Sequence, residues 1–172
     1  MLFSRIIVKI ISLLFLFSFC TANANTNTLA FGISLGVTTI DDLVSSRLIE
    51  SKDEHEGINR FTEGKQYFLS PIDFDDSSMQ SLLVIFDKNE KASAVIVTYD
   101  NDTFDSINYR LQKKYSTRAN KRSSVDNSFF VYNNGMNIIE FEKNDSRFQA
   151  ELRILSDDFF KQYKKDVSSE FL

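Results

Sequence analysis

Cysteine, histidine and tryptophan are nearly or wholly missing from this 172-residue chain, and each shortage closes a class of function. The one cysteine, Cys20, ends an apolar run near the N-terminus; if that run is removed, no disulfide, thiolate nucleophile or cysteine metal ligand remains. The one histidine, His55, stands among Asp53, Glu54 and Glu56 in a stretch with no apolar period. Hydrolase triads and most general-base sites depend on histidine. In this setting His55 reads as a solvated loop residue rather than a base or a metal ligand. Five glycines, with Gly32 and Gly36 isolated, build no phosphate-cradling loop. A single proline, Pro71, leaves nothing that resembles an interdomain linker. The formal net charge of −4 argues against a nucleic-acid binder, whose phosphate contacts need a basic surface.

What is present begins with an export signal. Arg5 and Lys9 precede an apolar run over 10–19, and Ala22-Asn23-Ala24 offers small residues where a leader peptidase reads. Residues 1–24 are therefore expected to be a signal peptide cleaved near Ala24, giving a periplasmic or secreted protein. The run falls short of the roughly 20 residues that span hydrocarbon, so it does not read as an anchor, and no later stretch approaches that length. Phe19 before Cys20 is too bulky for a lipid-attachment site, which places the mature chain in a soluble compartment. Losing two bases with the leader makes the charge more negative by two. Residues 25–28 read as a disordered tether, and 29–172 as one domain.

Leu29, Phe31, Ile33 and Leu35 alternate as a first strand, with Gly36 turning the chain. Thr38 or Thr39 offers a hydroxyl cap to a helix carrying Asp41 and Asp42 in its first turn and Ile40, Leu43, Val44 and Leu48 on one face. Strands are expected at 60–61 and 66–69, around a turn at 63–65. The unbroken apolar runs 82–86 and 94–99 predict central strands joined by a hairpin over 87–91. Asn101 or Asp102 caps a second helix whose Phe104, Ile107, Leu111 and Tyr115 share a face. A second hairpin spans 129–142 with its turn at Asn133-Asn134-Gly135. Phe148, Ala150, Leu152 and Ile154 alternate with Gln149, Glu151 and Arg153, predicting a strand with one wet face. A last helix starts near Asp157 and Asp158 and presents Phe160, Tyr163, Val167 and Phe171.

The expected class is α+β: an antiparallel sheet of about six to eight strands, with three helices packed on one face. Helix followed by meander occurs twice, which suggests two such units. The 13 phenylalanines beyond the leader and the six tyrosines mostly sit at core-facing periods, Phe104 and Phe148 among them. Tyr67 and Phe68 point to opposite faces of one strand, leaving open which is exposed.

Candidate chemistry is sparse. Asp73, Asp75 and Asp76, and again Asp100, Asp102 and Asp105, lie close in sequence. Phe104 occupies what would be a third calcium-ligand position, and no turn glycine follows, so loop and cap roles are expected and no metal or cofactor is implied. Paired carboxylates for glycan hydrolysis are brought together by folding, not spacing, and nothing in the sequence selects a pair. The most uneven charge is Lys113, Lys114, Arg118, Lys121 and Arg122, with no acid among them. It reads as a helix end and solvated loop, and is also the best candidate for contact with an anionic partner.

The opening Phe31-Gly32-Ile33-Ser34-Leu35-Gly36-Val37-Thr38, with Leu43 and Val44 in the helix after it, resembles the start of several small bacterial envelope proteins. The resemblance covers about twenty residues and is to the small lipoprotein subunit of the outer-membrane β-barrel assembly machine and to the β-lactamase-inhibitor-protein fold. It implies helices on an antiparallel sheet and action by binding other proteins; it carries over no functional residue. The leading expectation is thus an exported, non-enzymatic protein holding a protein partner, as an inhibitor, immunity or envelope-assembly accessory protein. A small carboxylate hydrolase and a carrier of a small ligand in an apolar cavity are the alternatives.

Overall fold

The computed structural model describes residues 29–122 and 127–169; the leader expected over 1–24, the tether expected over 25–28, Cys20 and Phe171 lie outside them. A small antiparallel pair, β1 (Leu29–Ala30) and β2 (Ile33–Ser34), replaces the single strand expected there. Phe31 at φ 55° and Gly32 at φ 77° reverse the chain between them, and two successive positive φ angles suit a tight hairpin. Helix α1 (Ile40–Ser45) follows, ending before Leu48. Thr39 is its cap: the Asp42 amide donates to Thr39 Oγ1 at 3.2 Å while the Thr39 amide donates back to Asp42 Oδ2 at 2.8 Å.

Then come β3 (Glu63–Leu69), β4 (Met79–Asp87) and β5 (Ala92–Asp100). Residues 60–61 form a turn, not a strand. Gly64 is required at the start of β3 because a Cβ there would lie 2.1 Å from the Phe86 carbonyl oxygen and 2.5 Å from that of Asp87. The expected hairpin closes β4 on β5, with Asp87 Oδ1 accepting the amides of Asn89 at 2.8 Å and Lys91 at 3.0 Å.

Helix α2 (Phe104–Lys114) starts after a short 3-10 turn, Asn101–Thr103. Neither Asn101 nor Asp102 is its cap; Thr103 holds that place, without a side-chain capping bond. The second half is β6 (Ser116–Arg122), β7 (Asn127–Asn134), β8 (Asn137–Asn144) and β9 (Gln149–Ser156), running directly into α3 (Asp157–Ser169). Asn133 and Asn134 pair with Ile138 and Asn137, so the β7–β8 turn is Gly135-Met136, with Gly135 at φ 64°. Strand β6 was not expected. Its sequence has no apolar alternation, and its pairing comes from the backbone of β7 alone.

The sheet is antiparallel throughout, in the order β3-β4-β5-β9-β8-β7-β6. These are two meanders, each preceded by a helix and joined where β9 returns to pair with β5. Helices α1 and α2 cover one face: Ile40, Leu43, Phe104 and Ile107 join Val84, Val97, Phe141 and Leu152 in the main core. Phe104 stacks on Phe141 with ring centres 4.6 Å apart, and the Tyr132 hydroxyl donates to Asn108 of α2. The three helices do not share that face. α3 packs on the other side, placing Phe159 against Ile85, Ala94 and Leu155. Strand residues alternate between faces, so Leu155, next to Ile154, leads the chain to the side opposite α2. Phe159, not Phe160, is the buried anchor; Phe160 and Tyr163 are half-buried. Phe148 is a further correction: at φ 53° it lies before β9 and is 79% exposed, because the alternation runs past the point where the strand begins. Tyr67 is fully buried and Phe68 is exposed.

Candidate binding site

Helix α2 crosses the sheet without closing on it everywhere. Ile107, Arg110, Leu111, Lys114 and Tyr115 recur at helical spacing along one stripe, and a pocket of about 290 Å3 opens beside it. Its floor is Ile139 of β8 with Leu152 and Ile154 of β9; Ala30 and Phe31 of the small hairpin form the opposite wall. Phe31 is held edge-on against Phe74, ring centres 5.9 Å apart. The local sequence explains the gap: the apolar face of α2 is narrow at its C-terminal end, where cations at 110 and 114 flank Leu111.

The polar groups of the pocket are few. Tyr99, 3% exposed at the end of β5, lines it, and its hydroxyl makes no hydrogen bond among the described residues. Burial pushes the Tyr99 hydroxyl up to about 12; the Asp76 charge adds to this and Arg110 opposes it. Both charges therefore lie close to this ring. Asp76 is already engaged, since its Oδ1 accepts the Ser78 amide at 3.1 Å and the Ser78 hydroxyl at 2.5 Å. Arg110 and Lys114 are exposed and make no ion pair among the described residues. An apolar floor, the two tyrosines Tyr99 and Tyr115 and two cations at the rim are suited to recognition.

The basic residues singled out from sequence are not on a loop. Lys113 and Lys114 close α2, where the helix dipole favours cations, and Arg118 is exposed on β6. Lys113 Nζ lies 4.6 Å from the centre of the Tyr109 ring, and Lys114 Nζ 5.1 Å from that of Tyr115. Lys121 and Arg122 are on β6, an edge strand, and their side chains lie outside the described residues. Cations on an edge strand also discourage unwanted strand pairing.

Catalytic alternatives find little here. His55 Nδ1 accepts the Gly57 amide at 3.1 Å and its ring stands edge-on to Tyr67, which makes it a loop brace. It makes no ion pair among the described residues. Asp73 and Asp75 are exposed, Asp100 bonds Gln80, and no group of acids and His among the described residues is placed to hold a metal. The densest acidic group was not selected by sequence reasoning: Glu140, Glu142 and Glu151 surround Arg153 on the face that α3 half covers. Its signal was the polar alternation of Gln149, Glu151 and Arg153 in β9, which reads as a wet face, while nothing in the β8 sequence marks Glu140, 1% exposed, as buried. These acids are spoken for by Arg153 and by Lys164 of α3.

A larger cleft of about 610 Å3 lies between α3 and the β4–β5 turn, with Arg60, Thr62, Asp87, Lys88, Ser93 and Ser156 in its walls. Ser93 Oγ and Ser156 Oγ are 3.1 Å apart and bond each other, and Arg60 pairs with Asp166 at 2.9 Å. Its polar walls answer one another, so it is the weaker candidate. Sequence reasoning did not select Tyr99 or Arg110; the cations at 110 and 114 bordering an apolar stripe were the available signal.

No protein-family model matches the chain, and neither a curated protein nor a solved structure matches it. No helix among the described residues is long and apolar enough to cross a membrane.

Proposed function

We propose that this is an exported binding protein that holds a protein partner without transforming a substrate. The observation that carries the reading is the row of exposed cations Arg110, Lys113, Lys114 and Arg118, which make no ion pair among the described residues although the chain is acidic overall. Such a patch favours a partner with an acidic face and speeds its encounter. The leader supplies the compartment, the periplasm or the exterior, and the resemblance of the opening to envelope proteins that bind other proteins agrees with this role. A role as inhibitor, immunity protein or assembly accessory fits the same surface.

The test is affinity capture from envelope extract, comparing the natural chain with the Lys113→Glu, Lys114→Glu, Arg118→Glu triple variant. A stoichiometric protein partner retained by the first, lost by the second and released by salt is the expected result. Recovery of no stoichiometric partner, or equal recovery by both, refutes the proposal.

A further inference from the structure

We propose that the pocket between α2 and the sheet binds a free single-chain anionic amphiphile, an alkyl carboxylate of about ten carbons, with its head at Arg110 and Lys114. This goes beyond the protein-binding role and does not rest on it.

Size limits the ligand first. The pocket, about 290 Å3, has room for about ten groups of water size at roughly 30 Å3 each. One medium alkyl chain fits; a second chain does not. Chemistry then sets its polarity. Ile139, Leu152 and Ile154 line the floor and Ile107 and Leu111 the wall, so a bound chain gains about 25 cal/mol for each Å2 of apolar surface removed from water. Tyr99, 3% exposed as a residue, and Tyr115 add hydroxyls to this otherwise apolar lining, and that of Tyr99 makes no hydrogen bond among the described residues. A carboxylate oxygen in the pocket would give the Tyr99 hydroxyl a charged acceptor.

The sign of the head follows from the charges at the pocket. Two cations, Arg110 and Lys114, line it, neither in an ion pair among the described residues. The only acid in the lining is Asp76, whose Oδ1 accepts both Ser78 donors. A negative head meets two cations against one carboxylate, Asp76, which keeps its charge although hydrogen-bonded. A positive head would meet the cations as repulsion.

The test is calorimetric titration of the full chain with decanoate, and with decyltrimethylammonium, which keeps the chain and reverses the head. Below the aggregation threshold of either amphiphile, decanoate is expected to bind one to one and at least about ten-fold more tightly than the cation. Arg110→Glu with Lys114→Glu, both at exposed positions, should invert that preference while the circular dichroism of the fold is kept. Leu111→Trp should fill the pocket and abolish binding. Tyr99→Phe, nearly isosteric, should weaken decanoate several-fold and leave the cation unaffected. Absence of one-to-one decanoate binding overturns the proposal, as does binding indifferent to the charge reversal and to Tyr99→Phe. Binding to anionic vesicles without binding of free decanoate overturns it as well. Partner capture from extract by the Leu111→Trp variant separates this outcome from that of the protein-binding role.

Discussion

Lys164 of α3 places its Nζ 3.0 Å from Glu140 Oε1 of β8, so the helix on that side of the sheet is tied to a carboxylate that is almost fully buried. Arg153 of β9 approaches the other oxygen at 3.6 Å. Both cations are within ion-pair range, yet neither is aligned as a hydrogen-bond donor, so Glu140 is balanced by charge alone. Burial disfavours the Arg153 charge, but Glu151, Tyr163, Glu142 and Glu140 outweigh it and raise its pKa further.

This arrangement makes Arg153 hard to remove. Arg153→Met leaves Glu140 buried with Lys164 as its one close cation among the described residues, and leaves Glu142 and Glu151 without their shared partner. A loss of about 3 kcal/mol is expected, the low end for a broken buried pair because Lys164 remains. Urea denaturation checks it, and pairing the change with Glu140→Leu should restore part of the loss. Equal stability of Arg153→Met and the natural protein would show that the network is solvated.

The cap of α1 offers a smaller test. Thr39→Ala removes the hydroxyl that accepts the Asp42 amide and should cost about 1 kcal/mol in thermal or urea unfolding. Hydrogen bonds from the Thr39 backbone, then from its side chain, hold the Asp42 carboxyl below its ordinary value. A depressed carboxylate stabilises the fold above its unfolded pKa of 3.8, and that contribution is lost as the pH falls below it. The variant should therefore show a shallower acid limb.

Gly64→Ala tests close backbone approach. The added methyl would meet the Phe86 and Asp87 carbonyl oxygens, which belong to a paired strand and cannot move cheaply. Destabilisation of about 1–3 kcal/mol is expected from overpacking, with hydrogen exchange accelerated first in β3. Unchanged exchange at the amides of β3 would contradict it.

Alkaline stability depends on buried tyrosines. Tyr99 is pushed up to about 12 by burial, then by Asp76, against Arg110; burial also raises Tyr67 and Tyr132. A folded pKa above the unfolded one means that the unfolded chain loses its proton first. Stability should hold below pH 10 and fall as the pH climbs from 10 towards 12. Tyr99→Phe should make that fall less steep, as followed by unfolding at each pH alongside tyrosinate absorbance.

Local chemistry carried much of the fold in readable form. Thr38 or Thr39 before Asp41 and Asp42 offers a helix cap, the unbroken apolar runs within β4 and β5 suggest central strands, and Phe104, Ile107 and Leu111 step along one helix face. Other elements left no such trace. Strand β6 has a polar sequence and takes its order from β7, while Phe148 continues an alternation that the backbone has already abandoned.

By itself the sequence determined the α+β class and the scarcity of cysteine and histidine, because composition and short-range periodicity act over a few residues. Tertiary structure alone decided that α3 lies opposite α1 and α2, that Glu140 is buried between Arg153 and Lys164, and that Tyr99 lines an apolar pocket beneath Arg110 and Lys114. Each of these joins residues far apart in the chain, and the pairing of β9 with β5 brings the two meanders together.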